Sequence, residues 1–169
     1  VVRRSLECGQ LIDQQIVCHK EIDWLAENRK AFPALHLSPF WIYGSHVTQV
    51  QPAGSLPLLV EAAQAFGSGT HPTTQACLLA LAEQRKKKRP PRRILDMGCG
   101  SAILAIAAQR LFPAANILAV DNDRVSVRTA QKNRQKNQIS PMKMQAIVSE
   151  GFAARTVSRK GTYDLIMAN

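Results

Sequence analysis

The sequence predicts an α/β domain built on a parallel sheet, and three observations carry that expectation. From residue 92 onward, short apolar runs of strand length ("RRILDMG", "NILAVDND", "MQAIVSE", "YDLIMAN") alternate with helix-length segments. One of those segments, "SAILAIAAQRLF", is apolar nearly all round, as a helix sandwiched between a sheet and another layer must be. A glycine turn, "GCG", joins the first of these strands to that helix. Strands alternating with helices imply βαβ units with right-handed crossovers and a sheet whose two faces carry helices.

The earlier elements are read in chain order. Between Ile22 and Phe32, Ile22, Leu25 and Ala26 recur at helical spacing, Asp23 is placed to cap the start, and Pro33 stops the helix. "PFWIYGSHV" reads as a short strand around Trp41 to Tyr43, closed by Gly44 and Ser45, and "SLPLLVEAA" offers a second extended segment. The loop "AFGSGTHPTT", residues 65 to 74, comes next. It leads into an amphipathic helix, "TQACLLALAEQRKKK", with Leu78, Leu81 and Ala82 on one face and Thr73 or Thr74 positioned to cap it. Farther on, "RVSVRTAQKNRQKN" is a helix with a basic outer face. No internal repeat is present.

Composition bounds the rest. With 169 residues, 46% hydrophobic and 20% charged, the chain is long enough for one domain with a real core and is not a disordered polymer. No apolar run reaches bilayer length, and "VVRRSLECGQ" lacks the apolar stretch of a signal peptide, so no membrane role is expected. Cys8, Cys18, Cys77 and Cys99 form no CxxC pair and read as reduced thiols of a cytoplasmic protein, with no metal site. The net charge of +10 is concentrated in "RKKKRPPRR", residues 85 to 93. That run has two readings: a contact for an acidic partner such as ribosomal RNA, or a solvated helix end leading into a Pro-Pro connector. It holds no aromatic residue, which argues against a base-stacking platform.

The chemistry concentrates in two places. The 65–74 loop is rich in glycine and hydroxyl residues, but it is no P-loop, since Thr70 and His71 follow Gly69 where a phosphate loop needs Lys and then Ser or Thr. "LDMGCGSA" stands at the carboxyl end of a strand and the start of a helix, where an open α/β sheet binds its ligand. Gly98 and Gly100 allow positive φ and a close approach of backbone to ligand. Asp121 ends the next strand, 23 residues beyond Gly98, where a carboxylate accepts hydrogen bonds from ribose hydroxyls. The pattern describes an adenosine-containing cofactor. The dinucleotide fingerprint fits poorly, because Ile103 replaces its third glycine and Asp96 aims a negative charge at the pyrophosphate position. That carboxylate suits a ligand carrying an amino group, as S-adenosylmethionine does. A nicotinamide-dependent dehydrogenase is left as a distant reading.

Taken together, "AFGSGTHPTT", "LDMGCGSAILAIAA", "AVDND" and "DLIMAN" resemble the bacterial methyltransferases that modify the eleventh protein of the large ribosomal subunit. "DWLAENRKAF" and "FWIYGSH" are similar to that family's linker helix and the opening strand of its catalytic domain, so the likeness covers residues 21 to 169. The resemblance implies a class I, Rossmann-like methyltransferase fold and S-adenosyl-L-methionine as cofactor. It also implies methylation of amino groups, on lysine side chains and the N-terminal amine, of a large-subunit ribosomal protein partner. It divides the chain into a remnant of the substrate-recognition region (1–20), a linker helix (21–34) and the methyltransferase domain (35–169). It gives Thr74 a hydrogen bond to the cofactor, passes the Gly98 backbone beside the methionine part, sets Asp121 on the ribose, and makes Asn169 both a cofactor-binding residue and the catalytic residue lining the methyl-transfer site. The 65–74 loop becomes part of a lid, and Phe66 reads either as excluding water or as a plain core residue. His71 reads either as a general base or as a side chain bonding its own turn.

Three departures from the family pattern stand out. Ala102 replaces its third glycine, adding a methyl where helix meets sheet; Ser68 replaces a Thr; and the chain ends at Asn169, where the family continues with further strands and helices. The expected product is therefore a fold truncated after its fourth strand, with one sheet edge exposed. Other acceptors (another protein lysine, RNA or a small molecule) and an inactive cofactor- or RNA-binding fragment are the competing functions.

Overall fold

The computed structural model of the chain describes residues 33–61, 69, 71–158 and 163–169. The expected helix between Ile22 and Phe32, Cys8, Cys18, Phe66 and Ser68 lie outside them. Two sheets form, and the larger is the parallel one expected. Its strands are β4 (Arg93–Met97), β5 (Asn116–Asp121), β6 (Met144–Val148) and β7 (Leu165–Ala168), in the order β6-β5-β4-β7. The smaller sheet holds β1 (Leu35–Leu37), β2 (Phe40–Tyr43) and β3 (Leu56–Leu59). β1 was not expected. It turns back on β2 through Ser38 and Pro39 as an antiparallel hairpin, whereas β3 runs parallel to β2. Pro57 lies within β3 without disrupting it, because an edge strand can spare one ladder donor.

Helices sit on both faces of the large sheet, but unequally. α1 (Pro72–Glu83), α2 (Ile103–Leu111) and α3 (Arg124–Lys136) pack into one core with Ile94, Ile117, Ala119 and Met144 of the sheet and with Phe40 and Leu58 of the small sheet. On the opposite face, Leu95, Leu118 and Val120 are covered by Val157 of α4, a helix of one turn (Arg155–Ser158). α2 matches its apolar sequence: every residue in it but Arg110 is buried.

Two local expectations need correction. The cap of α1 is His71, not Thr73 or Thr74: its Nδ1 lies 2.8 Å from Thr73 Oγ1 and accepts from Thr73 N at 3.4 Å. Pro72 takes the first helical position, where its missing N–H is no loss, and this pushes both threonines inside the helix. At Ala102 the methyl is fully buried, yet the added bulk is not the only difference from glycine. Its backbone is left-handed, at φ 63° and ψ 28°, a conformation that costs an L-residue about 1–2 kcal/mol.

Two asparagines of α3 and its C-terminal cap, four residues apart and so on one helix face, fasten the small sheet to the large one. Asn137 Oδ1 accepts from Leu59 N at 3.1 Å while its Nδ2 donates to Leu59 O at 2.7 Å, completing the strand's edge as a neighbouring backbone would. The fully buried Asn133 accepts from Glu61 N at 3.1 Å and donates to Ser101 O at 3.0 Å, tying the exit of β3 to the turn that follows β4. Asn133→Ala removes the side-chain acceptor of Glu61 N and the side-chain donor to Ser101 O. At about 1–3 kcal/mol for each buried hydrogen bond lost, we expect a loss of about 3 kcal/mol, read as a lower urea midpoint at constant m-value.

Candidate functional site

The register of the large sheet sets the site. Met97 of β4 pairs with Val120 of β5 and Ala168 of β7, so the residues that follow, Gly98, Asp121 and Asn169, stand in one row along the carboxyl rim. Gly98 has φ +69°, and a Cβ built there would meet no atom within 4 Å. The backbone therefore faces open space, as a ligand-approach position requires. Gly100, also at positive φ, donates its N–H to Asp121 Oδ2 at 2.8 Å, and Asp123 N donates to Oδ1 at 3.0 Å. Asp121 thus holds the glycine turn in place and keeps acceptor capacity on both oxygens.

Asp96 lies below this row, 2% exposed, and its Oδ2 accepts from Ala105 N at 3.0 Å. That bond satisfies one of the donors that open α2, a helix whose own cap residue, Ala102, has no side-chain acceptor. Burial pushes the Asp96 carboxyl up to about 7; the Ala105 hydrogen bond opposes the rise and the negative Asp121 adds to it. A neighbouring cation would restore its charge. Cys99, between the two glycines, is buried, and desolvation first, then the charges of Asp96 and Asp121, raise its thiol far above the usual range. It is a neutral packing residue and no nucleophile.

On the other side of the row, Asn169 Nδ2 donates to Thr74 Oγ1 at 2.9 Å across 95 positions of sequence. Thr74 is fully buried in the first turn of α1. The contact fixes the amide so that Oδ1 is the atom of Asn169 left to accept another bond. Gly69, from the glycine-rich loop, packs at φ +88° where a Cβ would stand 3.0 Å from Ile103 Cδ1 and 3.2 Å from Ile42 Cγ2. Residues 62–68 and 70 lie outside the described residues, and the lid reading with them. His71 is engaged with its own turn, the second of its two expected roles.

The structure thus brings Asp96, Gly98, Gly100 and Asp121 together around one turn, with Asn169 joined to Thr74 beside it. Sequence reasoning missed the Asn133 and Asn137 clamp. The signal was available as two asparagines four apart in a helical segment, a residue type that helices disfavour unless it has partners. Among the described residues no cluster of His, Cys, Asp or Glu could hold a metal ion, and no helix is long and apolar enough to cross a membrane.

Known proteins resemble this chain in sequence and in fold. The family model for ribosomal protein L11 methyltransferase matches residues 5–169. A ribosomal protein L11 methyltransferase of Chelativorans sp. is 38% identical over 149 residues, covering 88% of this chain and 50% of that protein. One from Agrobacterium fabrum is 33% identical over 162 residues, covering 95% and 53%. The crystal structure of a ribosomal protein L11 methylase from Lactobacillus delbrueckii subsp. bulgaricus aligns with a TM-score of 0.63 at 27% identity, over 82% of this chain and 66% of that one. The chain spans about half the length of the curated relatives it matches.

Proposed function

The chain belongs to the ribosomal protein L11 methyltransferase family, and on that premise we propose that it binds S-adenosylmethionine for a cytoplasmic protein N-methyltransferase. The acceptors in this reading are amino groups of that ribosomal protein, on lysine side chains and at its N-terminus. The observation that supports it most is the row of Gly98, Asp121 and Asn169 at the carboxyl rim, with the buried Asp96 beneath. A diphosphate would meet two carboxylates there, whereas a ligand with a ribose and an amino group meets two acceptors.

The residues present fit that cofactor. Asp121 accepts the ribose hydroxyls with the lone pairs that Gly100 and Asp123 leave free. Asp96 holds the amino group, and the open side of Gly98 admits the methionine part. Thr74 orients Asn169, whose Oδ1 then accepts a hydrogen bond from the incoming amine and aligns its nitrogen. When bound, S-adenosylmethionine supplies a methyl group on a sulfonium that is already a good leaving group, so the chain's own work is alignment and exclusion of water. Burial beside a positive charge lowers the acceptor amine's pKa, and the reading assigns no general base.

Calorimetric titration tests the binding half of the proposal: S-adenosylmethionine should bind saturably and NADH should not. The reverse order of affinities would overturn it. For the transfer half, radiolabelled methyl should appear on the purified ribosomal protein. Asn169→Ala should lower kcat about 10–100-fold while cofactor affinity changes less than about threefold, as for the loss of one aligning contact. Unchanged turnover in that variant would remove Asn169 from the mechanism.

A further inference from the structure

The rim of the sheet opposite the cofactor row carries its own feature. Seven of the chain's 22 basic residues, and none of its 12 acids, fall between Arg85 and Arg93, so the rest of the chain is close to balanced. The run leaves α1 through a 3-10 turn (Gln84–Lys86) and enters β4 at Arg93. Lys86 is bridged to Glu83, whereas Lys87, Lys88, Arg89 and the Pro90–Pro91 pair line a groove of about 460 Å³. Among the described residues the one acid lining that groove is Asp164, whose Oδ2 accepts from Arg92 N and Arg93 N at 2.8 Å each. Those backbone bonds tie the end of the run to the start of β7, and they hold the Asp164 carboxyl below the usual range. The groove is thus a concave basic surface whose far end is anchored to two strands.

We infer that this groove binds the phosphate backbone of a single-stranded nucleic acid without reading its bases. An anionic strand is favoured over other polyanions by three features. The lining is concave, which admits a strand and not a flat lipid surface. The groove holds no aromatic ring and its apolar lining is Pro90, Pro91 and Leu165, so an acidic protein would find none of the aromatic anchors that dominate protein interfaces. Its arginines present planar forks suited to phosphate, and its lysines are compact point charges. With no aromatic ring to stack a base, recognition stops at the backbone. β4 spans five residues between this rim and Gly98, about 16 Å at roughly 3.3 Å each, so a strand held here leaves the cofactor row open. The inference does not depend on the proposed methyl transfer.

Fluorescence anisotropy with a labelled 20-nucleotide RNA of mixed sequence, and with the matching single-stranded DNA, tests it on the 169-residue chain. Micromolar binding is expected for both, with log affinity falling against log salt at a slope of about −3, the value for about four phosphates. The triple variant K87E/K88E/R89E should bind at least tenfold more weakly with a shallower slope, while its far-UV circular dichroism and its S-adenosylmethionine affinity stay unchanged. Binding by the variant within twofold of the parent would overturn the inference, as would a flat salt dependence. Poly-glutamate or anionic vesicles competing as well as RNA would overturn it in favour of an acidic protein or a lipid surface, and a tenfold preference for RNA over DNA would overturn its sugar-blind form.

Discussion

Replacing Asp121 with alanine should lower the affinity for S-adenosylmethionine by at least about 100-fold. Two hydrogen bonds from ribose hydroxyls to a charged acceptor contribute about 1.5–3 kcal/mol each, and about 1.4 kcal/mol is a factor of ten. The same substitution also removes the acceptor of Gly100 N and Asp123 N, so the glycine turn loses its fastening at the place where the ligand must approach. Asp121→Asn is the milder change, since its one oxygen can still accept from Gly100 N or from Asp123 N but not from both. It keeps one acceptor oxygen but no charge, and a loss of about tenfold is expected. Calorimetry reads both variants, with circular dichroism to confirm the fold. Affinity unaltered in the alanine variant would reject the ribose assignment.

The second large effect belongs to Asp96 and depends on pH. Its folded value is about 7 against an ordinary 3.8, so the folded chain holds this proton more tightly than the unfolded chain does. Stability from this group is therefore fully present below about pH 4 and is lost as pH rises to about 7, by an amount on the order of a few kcal/mol. In the proposed complex cofactor binding has the opposite preference, since an amino group beside Asp96 would favour the carboxylate. Below pH 7 binding must then release a proton, and affinity should fall about tenfold per pH unit, while above pH 7 this dependence disappears. Asp96→Asn should lower affinity at pH 8 by about 100-fold, flatten the acid slope, and leave the empty chain more stable than the parent above pH 7. Titrations in buffers of different ionisation enthalpy report the released proton directly. If the Asp96→Asn substitution left both the affinity and its acid slope as they are in the parent, an ion pair at this position would be excluded.

The parallel sheet, its alternating helices and the strand-end positions of Gly98 and Asp121 were legible because each rests on a local pattern, whereas Asn169 was singled out by the family resemblance alone. Apolar runs of strand length, an all-apolar helix and glycines beside acids carry their meaning within a few positions. What escaped depended on distance or on backbone geometry. β1 is three residues long and owes its existence to its partner across the Ser38–Pro39 turn. The cap of α1 went to a histidine because Pro72 fixed the helix start two to three residues early. Ala102 read as a question of side-chain size, and proved to be one of dihedral angle as well. The Thr74–Asn169 bond joins residues 95 positions apart, and periodicity is silent on such a pair.

Asn169 follows a strand that is bonded on one side only: β7 pairs with β4, and no other described strand pairs with it. β4 and β5, paired on both sides, should surrender their amide protons to deuterium last, and β7 well before them. The side chain proposed to aim the incoming nitrogen therefore rides on the most easily frayed of these three strands. Whatever comes to lie along that free margin would act at a distance on turnover, by narrowing the excursions of one amide without touching either reactant.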